Sequence, residues 1–387
     1  MQLRYWIARS LFMESSCYRI LFGAALRAWS LEKAIPSQLT MFTSTVRSAL
    51  LALAASAVAV NAAQSISLKV TGPESVNTVE DLKVTTTITN TGDETVKLLN
   101  DPLSPLSQLP ANTFKITGGS KGASPTFTGI KAKYVPKVAA AQQAYTVLAP
   151  GQSVDVAHDL STTYSFSDSG EGSYSFEARN LFYVVDDSAK IATIQADVET
   201  HTARIAGKLA VSRPAPQRRA TYNGCSSSQQ SGLVSAASAA QSYAASALSY
   251  LTSHTSSTTR FTTWFGSYTS AHHSTVQSHF SNISGNNFAG NTYDCTCTDA
   301  GTYAYVFPDD FGHIYLCGAF WQAPNTGTDS RGGTLIHESS HFTANGGTDD
   351  HVYGQSGCKQ LAISNSAQAI DNADSHEYFA ENNPAQS

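Results

Sequence analysis

Between residues 64 and 210, apolar and polar positions alternate as in strands with one buried face: Ile66-Ser67-Leu68-Lys69-Val70, then Leu82-Lys83-Val84-Thr85-Thr86-Thr87-Ile88-Thr89, then Ser173-Tyr174-Ser175-Phe176-Glu177-Ala178. Thr91-Gly92-Asp93 and Ala149-Pro150-Gly151 punctuate them as turns. The spacing predicts a small antiparallel β-sandwich with no recognisable catalytic constellation. The pattern breaks at Ser212-Arg213-Pro214-Ala215-Pro216-Gln217-Arg218-Arg219-Ala220, where prolines prevent regular structure and a dibasic pair offers a processing site. Beyond it the period becomes helical. Leu233, Ala237, Ala240, Tyr243, Ala244, Ala247, Leu248 and Leu251 recur every three or four residues, which predicts a long Ala/Ser-rich amphipathic helix. A second helix is expected over 269–280 and a hairpin from 303–307 and 313–316. Gly332 and Gly333 are expected to precede a further helix. The chain thus reads as α+β, a mainly helical domain with a small β-sheet preceded by an all-β, sandwich-like domain.

Charge and cysteine change at the same boundary. Residues 64–220 hold 15 basic and 15 acidic side chains, whereas 221–387 hold three basic ones (Arg260, Arg331, Lys359) against 12 acidic. An acidic domain excludes nucleic acid as a partner and attracts a cationic one. Five of the six cysteines, Cys225, Cys295, Cys297, Cys317 and Cys358, lie in the acidic part, as expected of a disulfide-stabilised exported domain. No apolar run approaches the roughly 20 residues that span a bilayer. The most apolar run, 49–60, follows Arg47 and ends at Asn61-Ala62-Ala63, the pattern of a secretory signal peptide starting at Met41. The expected organisation is an upstream extension (1–40), signal peptide (41–63), propeptide (64–211), processing linker (212–220) and active domain (221–387) of a secreted monomer that does not bind membranes.

The candidate chemistry lies near the C-terminus. His337-Glu338-Ser339-Ser340-His341 sets two imidazoles at i and i+4, one helical turn apart on one face, where both can ligate one Zn²⁺ while Glu338 meets metal-bound water. A catalytic zinc takes three protein ligands and keeps one position open. A third histidine six residues on is excluded because that position is Gly347. Asp349, Asp350, Glu377 and Glu381 remain as third-ligand candidates.

Gly347-Thr348-Asp349-Asp350-His351-Val352-Tyr353-Gly354 resembles the second motif of the deuterolysin-like zinc peptidases (aspzincins), Gly-Thr-x-Asp-x-x-Tyr-Gly, at every fixed position. Within that family the chain is most similar to the fungal peptidyl-Lys metalloendopeptidases over 221–387, from Thr221-Tyr222-Asn223-Gly224-Cys225 to Asn372-Ala373-Asp374 and His376-Glu377-Tyr378-Phe379. The resemblance implies a zincin-type fold with one Zn²⁺ on His337, His341 and Asp350, Glu338 as general base and Tyr353 as hydrogen-bond donor to the oxyanion. It implies disulfides Cys225 to Cys295 and Cys297 to Cys317, leaving Cys358 as an unmatched thiol that departs from the family pattern and reads as a small buried helix residue. It also implies cleavage of protein or peptide substrates on the amino side of lysine, with Asp374 and Glu377 holding the ammonium. The chain's own propeptide, read from the linker and the change in composition, is the expected inhibitor. Only Lys359 of the 12 lysines lies beyond Thr221, which would limit self-digestion. His272, His273 and His279 read as a solvated helix face, and Asn282-Ile283-Ser284 as a glycosylation sequon on a surface loop.

Overall fold

The computed structural model describes residues 64–121, 123–211 and 222–387, and residues 62–387 form one compact unit. The signal-peptide and linker assignments fall outside the described residues. The architecture is mixed α/β. In the N-terminal part, alternation sets the inward faces: Ile66, Leu68 and Val70 are buried, as are Val84, Thr86, Ile88 and Asn90. Strand Ile66–Thr71 pairs antiparallel with Lys83–Asn90, which pairs antiparallel with Ser153–Asp159. A second sheet runs Ser75–Thr78, His201–Lys208, Gly172–Ala178, Phe114–Gly118, and a third Ile191–Gln195, Leu181–Val185, Val96–Leu99, Tyr145–Leu148. Alternation did not predict a short helix in this part, Pro136–Ala141, which opens on proline at its first position, where no backbone N–H is required.

The C-terminal part is built on the long helix, which spans Ser227–Ser253 and starts at a capping box of Ser226 and Gln229. Its buried stripe is mostly alanine, so a second helix, Arg331–His341, packs close against it. Gly332 and Gly333 lie inside that second helix, in its first turn, rather than before it. Packing demands them there: a Cβ at Gly332 would come within 2.8 Å of Ala239 Cβ, and one at Gly333 would overlap Glu381. Disulfides join Cys225 to Cys295 and Cys297 to Cys317, the pairs the resemblance implies, and Cys358 is buried with a free thiol.

One sheet joins the two parts. Tyr222–Asn223, Thr292–Asp294, His313–Leu316 and Thr302–Val306 are its first four strands, and its edge is covered by Lys131–Tyr134 from the N-terminal part, antiparallel to Thr302–Val306. Two other expectations need correction. His273 is buried and contacts the carbonyl of Leu251, and the half-buried His279 turns Nδ1 to His376 Nε2 at 3.0 Å, so the three do not form one solvated face. Asn282 lies in the last turn of helix Ser270–Ser284, where its amide donates to the Asn345 carbonyl, rather than in a loop.

Candidate metal centre

Helix Arg331–His341 is buried from Gly332 onward, and His337, Glu338 and His341 are fully enclosed. Its N-terminus is tied down twice. Ser330 caps Gly333 N–H, and Glu381 accepts from the Ser330 amide (2.8 Å) and hydroxyl (2.7 Å), a carboxylate set against the positive end of the helix dipole.

The chain then doubles back through 342–354, and each fixed residue of the second motif has a mechanical task. Gly347 and Gly354 take φ of 64° and 77°, in the left-handed region where a side chain is strained. Thr348 bonds Ser340 Oγ through its hydroxyl (2.7 Å), and its carbonyl lies 2.7 Å from His341 Nδ1. Asp349 bridges to Asn372 and stays exposed, which turns Asp350 inward. Asp350 Oδ1 lies 3.2 Å from His337 Nε2, its Oδ2 3.4 Å from His341 Nε2, and the two Nε2 atoms are 3.1 Å apart. Asp350, His337 and His341 thus converge on one point. Glu377 lies 3.6 Å from Nδ1 of His337, the opposite ring nitrogen, and so faces away from that point.

Helix Ala373–Glu381 supplies the next layer. Asp374 and Glu377 are fully buried on one face, and Asp374 Oδ1 lies 2.8 Å from His337 Nδ1. Asp374 Oδ2 accepts the Gly354 amide at 2.7 Å. The sequence assigned Asp374 to substrate alone, but it also lies against His337, a candidate metal ligand, and fixes that ring and its tautomer.

Strand Lys131–Tyr134 lies across this centre. The Lys133 amide donates to Glu338 Oε1 (3.2 Å), the Ala132 amide to Asp350 Oδ2 (3.1 Å), and Tyr353 Oη donates to the Ala132 carbonyl (2.9 Å). Lys133 is fully buried. Its Nζ sits 2.6 Å from Glu377 Oε2 and 3.4 Å from both Asp374 Oδ1 and Asp329 Oδ1, with the rings of Tyr303 and Tyr378 5.2 and 5.5 Å away. Asp329, Tyr303 and Tyr378 are pocket residues that sequence reasoning missed: Asp329 and Tyr303 sit in no motif, and Tyr378, though inside the closing segment 376–379, was given no role. Tyr378 Oη donates to Asp329 Oδ1 at 2.6 Å and so sets that carboxylate.

The donor set fits a cation. His341 Nδ1 faces a carbonyl and His337 Nδ1 a carboxylate, so both protons belong on Nδ1 and both Nε2 lone pairs point at each other and at Asp350. Without positive charge between them that arrangement is repulsive. Two nitrogens and a carboxylate oxygen suit Zn²⁺. Glu338 Oε2 and Asp350 Oδ1 are buried without a hydrogen-bond partner, a state costing about 1–3 kcal/mol per group unless a ligand satisfies it. Where no cation is bound, protons have to supply that positive charge. Burial opposes ionisation of Asp350, yet His341 and His337 hold it well below the usual carboxylate range. Burial also lowers His337, but Asp350 and Asp374 outweigh it and push it up to about 10. Burial pushes Glu338 up to about 8, the direction that suits a proton carrier. The described residues contain no comparable group around His272, His273 or His279.

Residues 250–381 match the family described as lysine-specific metallo-endopeptidase. The chain is 57% identical over 346 residues to a peptidyl-Lys metalloendopeptidase of Grifola frondosa, spanning 88% of this chain and 99% of that relative. It is 57% identical over 353 residues to a peptidyl-Lys metalloendopeptidase of Armillaria mellea, 90% of this chain and all of that one. An extracellular protease of Aeromonas hydrophila is 34% identical over 324 residues, covering 79% of this chain and 90% of the relative.

Proposed function

This chain belongs to the aspzincin family of lysine-specific metallo-endopeptidases and is a zinc metalloendopeptidase, and from that premise we propose that it cuts peptide bonds on the amino side of lysine. In this reading His337, His341 and Asp350 are the ligands of one zinc. The observation that carries it is the seat of Lys133, an ammonium enclosed by Glu377, Asp374 and Asp329 with its backbone nitrogen on Glu338. A substrate lysine taking that seat would leave water for three carboxylates and two aromatic rings, a set that a neutral side chain cannot satisfy.

His337, His341 and Asp350 would hold the zinc, and the chemistry supplied there would be Lewis-acid polarisation of the carbonyl and acidification of a water toward a pKa of about 7. Glu338 then takes the water proton and passes it to the lysine nitrogen, which its Oε1 already reaches. Tyr353 donates to the carbonyl oxygen as charge develops there, a contribution of about 3 kcal/mol. We read residues 64–211 as a sandwich-like propeptide that blocks the site, and 221–387 as the secreted active form. The signal-peptide pattern, the two disulfides and the extracellular relative support export.

Zinc content of variants tests the ligand set. His341→Ala and Asp350→Asn are expected to lose zinc at least tenfold in affinity, while Glu377→Gln keeps it. Zinc retained by Asp350→Asn but lost from Glu377→Gln would transfer the third position to Glu377 and overturn this centre.

A further inference from the structure

We propose that residues 131–134 are a built-in substrate and that the Ala132–Lys133 peptide bond is cut by the chain's own site, intramolecularly, as a first step of maturation. The proposal rests on the lysine-directed reading above and extends it to the chain itself. Its ground is the polarity of the strand. The phenol of Tyr353 is on the carbonyl oxygen of this one peptide bond and the carboxylate of Glu338 is on its nitrogen, so oxyanion donor and proton carrier each meet the atom they would serve. A strand merely blocking the cleft, laid in the opposite direction, would not bring both to one bond.

The register is held on both sides of that bond. On one side Lys131 Nζ donates to the carbonyls of Gly347 (3.0 Å) and Thr348 (2.7 Å) and pairs with Asp349 at 2.7 Å, gripping the loop that carries Asp350. On the other side Tyr134 is buried with Leu99, Ala139 and Val185 and meets the Tyr353 ring edge-on. Between them Ala132 and Lys133 pair with Tyr305 and Ala304 of the sheet edge. Lys133 is also the one lysine buried among the described residues, and all three of its carboxylate partners come from the C-terminal part. Burying an ammonium costs several kcal/mol unless it is paired, and the fold of 64–211 supplies no partner that would explain it.

The step balances as a hydrolysis. The bond from the Ala132 carbonyl carbon to the Lys133 nitrogen breaks and a carbon–oxygen bond to water forms. Glu338 carries one water proton to the leaving nitrogen and the second follows from the new carboxyl group, so Ala132 ends as a carboxylate and Lys133 as a free α-ammonium. The nick alone would not free the domain, because strands before it pair with strands after it, as Lys83–Asn90 does with Ser153–Asp159 and Val96–Leu99 with Tyr145–Leu148. Residues 212–220 contain no lysine, so separation at the linker falls to a protease of dibasic specificity.

The full-length chain, purified under a chelator, is expected to be whole, and adding zinc should yield a fragment beginning at Lys133 and one ending at Ala132 by mass spectrometry. The half-time should not change on tenfold dilution. Glu338→Gln should stay whole and Lys133→Met should lack this cut. A full-length chain left intact at this bond, by an enzyme that after linker cleavage cuts before lysine in added peptides, would overturn the proposal and leave the proposed function standing. A half-time tenfold shorter at tenfold higher concentration would overturn the intramolecular step. Failure of the processed enzyme to cut before lysine in any peptide would overturn both readings.

Discussion

Replacing Glu338 with glutamine is expected to lower turnover of a lysine peptide by 10²- to 10⁴-fold while zinc content and melting temperature stay at the wild-type level. A positioned general base is worth about that factor. The side chain is fully buried, Oε1 accepts from the Lys133 amide and Oε2 has no hydrogen-bond partner, so glutamine fits the same space but cannot take a proton. Glu338 makes none of the close contacts among His337, His341 and Asp350, so metal should remain. Steady-state kinetics beside metal analysis of the same sample checks both halves. Wild-type turnover in a zinc-loaded Glu338→Gln enzyme would rule out the proposed proton carrier.

Glu377→Gln should produce the second large effect, a loss of the preference for lysine over an uncharged side chain of equal length such as norleucine. Glu377 makes the shortest contact to the ammonium, 2.6 Å, inside a pocket without solvent exposure. Removing one partner of a buried charge pair costs about 2–5 kcal/mol, which corresponds to roughly 30- to 4,000-fold in kcat/KM. Asp374→Asn is a less selective probe, because Asp374 also lies against His337 Nδ1, and loss of such support lowers metal affinity about 10–100-fold. The two variants should therefore part company: Glu377→Gln loses specificity with zinc retained, and Asp374→Asn loses both. An unchanged lysine to norleucine ratio in Glu377→Gln would remove that residue from the pocket.

Much of this site could be read in the chain because its parts are local. The four-residue spacing of His337 and His341 requires only a helix, and the i, i+3 spacing of Asp374 and Glu377 sets both on one helical face. The second motif is one loop, 347–354, in which two glycines make the turns and Asp350 follows. Periodicity also located the long helix to within six residues at its start and two at its end, since its alanines form a buried stripe. What it could not see were contacts across the chain. Lys133 is one of ten lysines in 64–220 with nothing local to mark it, and the pocket it enters lies some 200–240 residues away. Asp329, Tyr303 and Tyr378 join that pocket from three separate elements. Gly332 and Gly333 read as helix breakers because the pattern does not show that Ala239 and Glu381 press against them. His273 and His279 read as solvated because their neighbours in sequence are polar, whereas their neighbours in space are a carbonyl and another imidazole.

The central claim, a zinc endopeptidase selecting lysine on the leaving-amine side, is tested most directly by digesting an unfolded protein with processed enzyme and sequencing every new N-terminus. The prediction is lysine at almost all of them, no cleavage after chelation, and the same profile restored by zinc alone. New N-termini spread over leucine, phenylalanine and other uncharged residues, or cleavage that persists under the chelator, would contradict it.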